Sequence, residues 1–310
     1  MREMLKRLLP FASLILLFAI LSLASPYFLT FGNLTSVIRQ TTVITIMAVG
    51  MTLVMASGGI DLSVGSIVGL TGVCGAFLIS WHYATGVALL GSILVGMCCG
   101  MINGIGVSTL KIPPFIATLG TLGIYRGLTL IMTGGVPVAN LSGDFGVLAT
   151  GDLLGIVPLP LLFLTAIAVL LHLVLEYTRL GRYSYAIGSN PDAARCSGIQ
   201  IRRITIAIYS ICGALTGFAG MIESARLVTG QPTAGEGYEL RVIAAVVIGG
   251  GSLNGGQGTV LGTIVGSFIM GLLNNGCNLL GISPFLQQII IGSVIVLAVT
   301  FDEFQRRRTD

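Results

Sequence analysis

The chain is a succession of apolar runs parted by short clusters of Gly, Pro, Asn and charge. A helix crosses a bilayer with ~20 mostly apolar residues. Ten runs approach that description: 8–25, 41–57, 63–80, 85–109, 114–134, 154–176, 204–226, 239–251, 258–278 and 285–301. The eighth is the weakest, because VIAAVVIGG is too short to cross alone and reads equally as a half-span that turns inside the bundle. The pattern predicts an all-α, polytopic membrane protein of about ten transmembrane helices, with broken or re-entrant helices left open, in one membrane domain over 1–310.

Composition agrees with that pattern. The 310 residues are 54% hydrophobic and only 9% charged, with a mean hydropathy of +0.96, against roughly 25% charged in an average soluble domain. The expected surroundings are a lipid bilayer, and no nucleic-acid partner is expected.

Orientation follows from the cations, because short loops rich in Lys and Arg stay cytoplasmic. Arg2, Lys6 and Arg7 precede the first run, Lys111 follows the fourth, Arg179, Arg182, Arg195, Arg202 and Arg203 follow the sixth, and Arg306, Arg307 and Arg308 end the chain. With ten alternating crossings these all fall on one side, which predicts that both termini and the 179–203 stretch are cytoplasmic. The 135–153 loop, with Asp144 and Asp152 but no Lys or Arg, falls outside. Residues 1–25 also fit a secretory signal, with basic MREMLKR and a cleavage-like LSLAS; the later topology is the same either way.

Of the 16 basic residues, four break the inside rule: Arg39, Arg126, Arg226 and Arg241. Arg39, Arg226 and Arg241 map to the outer ends of runs two, seven and eight. They are candidates for docking a soluble partner by complementary charge, with pairing to Glu223 or Glu239 as the local alternative.

Cysteine and histidine add little. Cys74, Cys98, Cys99, Cys212 and Cys277 lie within apolar runs and Cys196 lies in the charged stretch, with no CxxC pair and no metal spacing. His82 sits in WHY at a run's edge and His172 is isolated, so both read as structural. No metal site or cofactor is expected on this chain.

Glycine contributes 44 residues, several spaced in fours: Gly96, Gly100 and Gly104, and again Gly258, Gly262 and Gly266. Small residues at that spacing let helices approach closely in lipid. SGGIDLSVGSIVG and GGGSLNGGQGTVLG also echo one another, placing Asp61 opposite Asn254 at an offset of 193. Glycine-interrupted segments in corresponding places mark broken helices near a transport path, so Asp61 and Asn254 are translocation or broken-helix candidates. A glycine-rich chain also produces such an echo by chance.

The stretch GRYSYAIGSNPDAARCSGIQIRR, residues 181–203, combines charge, small residues and helix punctuation. Asn190 is suited to capping orphan N–H groups, Pro191 has its φ preset for a first helical turn, and Asp192 favours the positive end of the helix dipole. Gly198 supplies a left-handed stop. The short helix between them cannot cross a membrane, and its small Ala193 and Ala194 suit it to a groove on another protein.

GRYSYAIGSNPDAARCSGI, the run from GYEL through IAAVVIGGGSLNGGQG to NNGCNLLG, and IMAVGMTLVMASGGIDLSVGS together resemble the membrane subunit of the ribose-type ABC sugar importers over nearly the whole chain. The resemblance implies a bacterial inner-membrane homodimer that receives a monosaccharide from a periplasmic binding protein. It implies that a separate ATP-binding subunit drives transport, holding ATP and Mg and carrying out all hydrolysis, so that this chain is not an enzyme. It implies an ATPase-coupling element of Gly188, Asn190, Pro191, Asp192, Ala193, Ala194, Arg195 and Gly198. One departure stands out: the family pattern usually has an acidic residue after GYEL, where this chain has Arg241.

The sequence independently points to a partner for energy, because no GxxxxGK[ST] occurs to cradle a nucleotide. The alternative is an ion-coupled secondary sugar transporter or channel, which requires ionisable groups deep in the spans. Arg126 is the deepest candidate, and snorkelling or packing against backbone carbonyls is its structural explanation. Glu176, Glu223 and Arg226 lie near span ends.

Overall fold

The computed structural model describes residues 2–141 and 143–307; Arg308, one of the orienting cations, lies outside them. The helices are α1 (Arg2–Ala24), α2 (Phe31–Ala56), α3 (Val64–Ser80), α4 (Thr85–Ser108), α5 (Pro114–Thr133), α6 (Val147–Thr150), α7 (Leu159–Tyr177), α8 (Arg179–Ser189), α9 (Pro191–Cys196), α10 (Ile201–Leu227), α11 (Tyr238–Ile248), α12 (Val260–Leu279) and α13 (Pro284–Arg307). A hairpin of two two-residue strands, β1 (Asp152–Leu153) with β2 (Val157–Pro158), lies between α6 and α7.

Among the described residues, six helices are long and apolar enough to cross a membrane: α2, α4, α5, α7, α10 and α12. Leu9–Ala24, Val64–Ser80 and Pro284–Leu297 are shorter apolar helical stretches, in α1, α3 and α13. The remaining expected run is α11, whose 11 residues extend about 16 Å and fall short of a bilayer.

Two of the boundaries that differ from the expectation do so for clear local reasons. Helix α2 starts at Phe31 rather than 41 because Thr30 caps it, its Oγ1 accepting from the Asn33 N–H, and the polar FGNLTSVIRQ turns are helical all the same. Helix α7 starts at Leu159 rather than 154 because the preceding residues close the β1–β2 hairpin, with Gly155 at φ +70°.

The centre of the bundle is α2, buried from Thr41 to Ala56 apart from half-buried Ile44. Helix α5 is the opposite case and turns Phe115, Ile116, Leu119, Ile124, Leu128 and Ile131 outward, as a lipid-facing helix does. The expected glycine packing is realised between α4 and α10. A Cβ at Gly96 would overlap the Gly213 carbonyl oxygen, one at Gly100 the Tyr209 carbonyl oxygen, and one at Gly213 the Gly96 carbonyl oxygen. Gly262 and Gly266 bring α12 against Ala245 of α11 and Gly249 just after it in the same way.

Between α10 and α11 the chain runs as non-helical backbone along α3. It pairs with Val138 at Gly230, passes Val73 and Ala76, and reaches Gly65 and Val68 at Gly235. Helix α11 therefore starts beside the first turn of α3.

Candidate functional site

The charged stretch folds into two helices meeting at Asn190. Helix α8, which the search for apolar runs passed over, buries Gly181, Ser184 and Ile187 and exposes Arg179 and Arg182. The Asn190 N–H donates to the Ala186 carbonyl at 3.1 Å, closing α8, while its Oδ1 accepts from the N–H groups of Asp192 (3.1 Å) and Ala193 (3.0 Å), opening α9. Pro191 takes the first helical position, where its missing N–H costs nothing. At the other end Gly198 is left-handed (φ +81°) and the Ile199 N–H returns to the Ala194 carbonyl at 3.1 Å. Arg195 pairs with Asp192 at 3.0 Å, but both are exposed, so the pair contributes little.

Burial divides this element into two faces. Ala194 is 4% exposed and anchors α9 to the bundle. Pro191, Asp192, Ala193, Arg195, Cys196 and Gly198 are exposed. Of the two alanines expected to face a partner, only Ala193 is exposed. Gly188, in the last turn of α8, lies against the Ala56 carbonyl.

Asp61 is fully buried in the turn between α2 and α3. Its Oδ1 accepts from the Ser63 N–H (2.9 Å) and hydroxyl (2.6 Å), and its Oδ2 from the Asn103 amide (3.1 Å). Asn103 also donates to the Ser63 hydroxyl at 2.7 Å and accepts from the Tyr125 hydroxyl at 3.3 Å. One residue earlier, the Ile60 carbonyl accepts from Tyr209 and Thr118, both at 3.3 Å. The turn is thus tied to α4, α5 and α10, and the buried carboxyl group is satisfied by hydrogen bonds, as a buried polar group requires. Ser63, Asn103, Thr118, Tyr125 and Tyr209 were missed in the sequence, although Asn103 within the apolar MINGIG run was a usable signal.

Asn254 sits in different surroundings from its echo partner. It is exposed, its N–H donates to the Ser252 hydroxyl at 3.3 Å, and its carbonyl faces Gly58. A groove of about 280 Å³ beside Asn103, lined by Ile102, Ile105, Leu110, Ile112 and Thr121, is almost wholly apolar and offers a sugar few hydrogen-bond partners.

All four arginines that break the inside rule are engaged within the chain. Arg39 Nη2 bonds Asp152 Oδ1 at 2.8 Å and the Thr150 carbonyl at 2.9 Å. Arg226 grips Glu223 through two bonds of 3.0 and 2.6 Å, and the Tyr238 hydroxyl donates to the same carboxylate at 2.9 Å. Arg241 lies 5.8 Å from the Tyr238 ring centroid. Arg126 donates to the carbonyls of Pro232, Ala234 and Gly65, holding the segment before α11 against α3.

Long apolar helices packed through glycine, with a capped helix exposed at one end, define a polytopic membrane protein. The family model for the permease component of branched-chain amino acid transport systems matches residues 33–299, and the chain belongs to that permease family. The ribose import permease protein of Escherichia coli strain K12 is 46% identical over 297 residues, covering 94% of this chain and 91% of that protein. Its Bacillus subtilis strain 168 counterpart is 44% identical over 303 residues, covering 96% and 92%. The D-allose transport system permease protein of E. coli K12 is 37% identical over 286 residues, covering 91% and 86%. No solved structure matches the chain.

Proposed function

We propose that the chain is the membrane-spanning subunit of an ATP-driven importer for ribose or a closely related monosaccharide. The observation that carries this reading is the 46% identity to a ribose import permease over 94% of the chain. In this reading two copies pair in the bacterial inner membrane, each with about ten crossings and cytoplasmic termini, and the 228–237 segment with α11 completes the eighth crossing. The exposed face of α9, with Ala193 at its centre, docks a separate ATP-binding subunit that holds ATP and Mg²⁺ and performs the hydrolysis. A periplasmic binding protein delivers the sugar to the opposite face, near Arg39, Arg226 and Arg241. Because these arginines are held by Asp152, Glu223 and Tyr238, their role there is to shape the surface more than to steer the partner.

Reconstitution in proteoliposomes tests the reading. Ribose uptake is expected only when the chain, its ATP-binding subunit and its binding protein are all present. Ala193→Trp is expected to leave a folded, inserted protein that no longer retains the ATP-binding subunit on co-purification; normal retention would move the contact elsewhere. Uptake by the isolated chain under a proton or sodium gradient would replace the importer with an ion-coupled carrier.

A further inference from the structure

Three glycines from distant parts of the chain meet backbone to backbone next to α9. Gly58 lies in the turn after α2 (φ +78°), Gly188 in the last turn of α8, and Gly255 in the loop between α11 and α12 (φ +90°). A Cβ at Gly255 would stand 2.8 Å from both Cα and O of Gly188 and 2.9 Å from Cα of Gly58. A Cβ at Gly188 would overlap the Ala56 carbonyl oxygen and stand 2.6 Å from the Gly256 nitrogen. The contact is bonded as well as close: the Gly256 N–H donates to the Ala56 carbonyl at 2.9 Å, and the Tyr185 hydroxyl donates to the Gly258 carbonyl at 2.6 Å.

What lies on either side gives the meeting point its meaning. Toward the exposed surface, Gly188 is separated from α9 only by Ser189 and the shared cap Asn190. Toward the interior, Gly58 leads within two residues to Ile60 and then Asp61, the turn bonded to α4, α5 and α10. Gly258 leads to Thr259, whose hydroxyl accepts from the Gly262 N–H at 3.1 Å and opens α12. Side chains absorb displacement by changing rotamer, but backbones in direct contact have no such slack.

We infer that Gly58, Gly188 and Gly255 form a joint through which displacement of α9 reaches the Ile60–Ser63 turn and the start of α12. They are positioning residues for transport, acting through the elements they connect. The inference rests on the reading that α9 docks the ATP-binding subunit.

The test uses the complex of chain, ATP-binding subunit and binding protein in proteoliposomes, with ribose as the probe, and measures ribose moved per ATP hydrolysed. Gly255→Ala is expected to retain the ATP-binding subunit and to lower that ratio about tenfold, in the range of coupling between linked sites. Tyr185→Phe removes one bond of the joint without adding volume, and is expected to lower the ratio about twofold with the subunit again retained. An inserted Gly255→Ala variant with the wild-type ratio overturns the joint. If Gly255→Ala does not insert, a wild-type ratio in Tyr185→Phe overturns it instead. Failure of the docking reading gives a different result, retention of the ATP-binding subunit by Ala193→Trp.

Discussion

Between α4 and α10 the glycines are helical and space alone selects them, whereas where Gly58, Gly188 and Gly255 meet, two of the three also have left-handed backbones. The first region is a long seam of repeated contacts in which each glycine does the same thing. The second is a single point where three connections cross, held by a few bonds. In lipid, where burying apolar surface drives no helix association, close approach supplies the packing, and a seam is the form that makes a bundle stable. A point contact of this kind adds little stability and instead brings the backbones of three separate connections into direct contact.

Substitutions separate these roles, in decreasing order of expected effect. Gly100→Val drives a branched side chain into the Tyr209 carbonyl, and is expected to cost ~3 kcal/mol, the upper part of the range for overpacked cores. The check is the yield of monodisperse protein and its thermal unfolding in detergent; an unchanged Tm would mean the seam is looser than described. Asp61→Asn sets one amide against the Asn103 amide in the buried turn and is expected to cost about 1–2 kcal/mol. Ribose moved per ATP should be unchanged as long as the turn stays folded, and a transport defect at wild-type stability would give the Asp61 carboxyl itself a part in transport. Asn190→Ala removes the cap that accepts from Asp192 and Ala193, costing about 1 kcal/mol locally. Its mark is faster hydrogen exchange confined to α9, with weaker retention of the ATP-binding subunit and little change in Tm.

How far the sequence revealed this arrangement depended on the range of each interaction. The ends of α9 were readable because Asn190, Pro191 and Gly198 act on neighbours a few residues away. Arg226 with Glu223 was readable for the same reason, at a spacing of i,i+3. Helix α8 was not, because a search for continuous apolar runs passes over an amphipathic helix with two arginines in its first turns. Arg39 with Asp152, and Arg126 with the carbonyls before α11, join residues more than a hundred positions apart. The echo of the two glycine-rich turns drew attention to the right segments, yet its offset set Gly58 opposite Gly251, while the contact in space is with Gly255. Which glycines meet is decided by the placement of α8 between the turns, and no local pattern records that.

The double duty of Asn190 has a mechanical consequence. Because its N–H ends α8 and its side chain begins α9, a single residue sets the bend between the two helices. Gly188 stands two residues from that bend, and its backbone lies against the Ala56 carbonyl. In the proposed joint a displacement of α9 is therefore handed on from backbone to backbone, with no side-chain rotamer in between to absorb it.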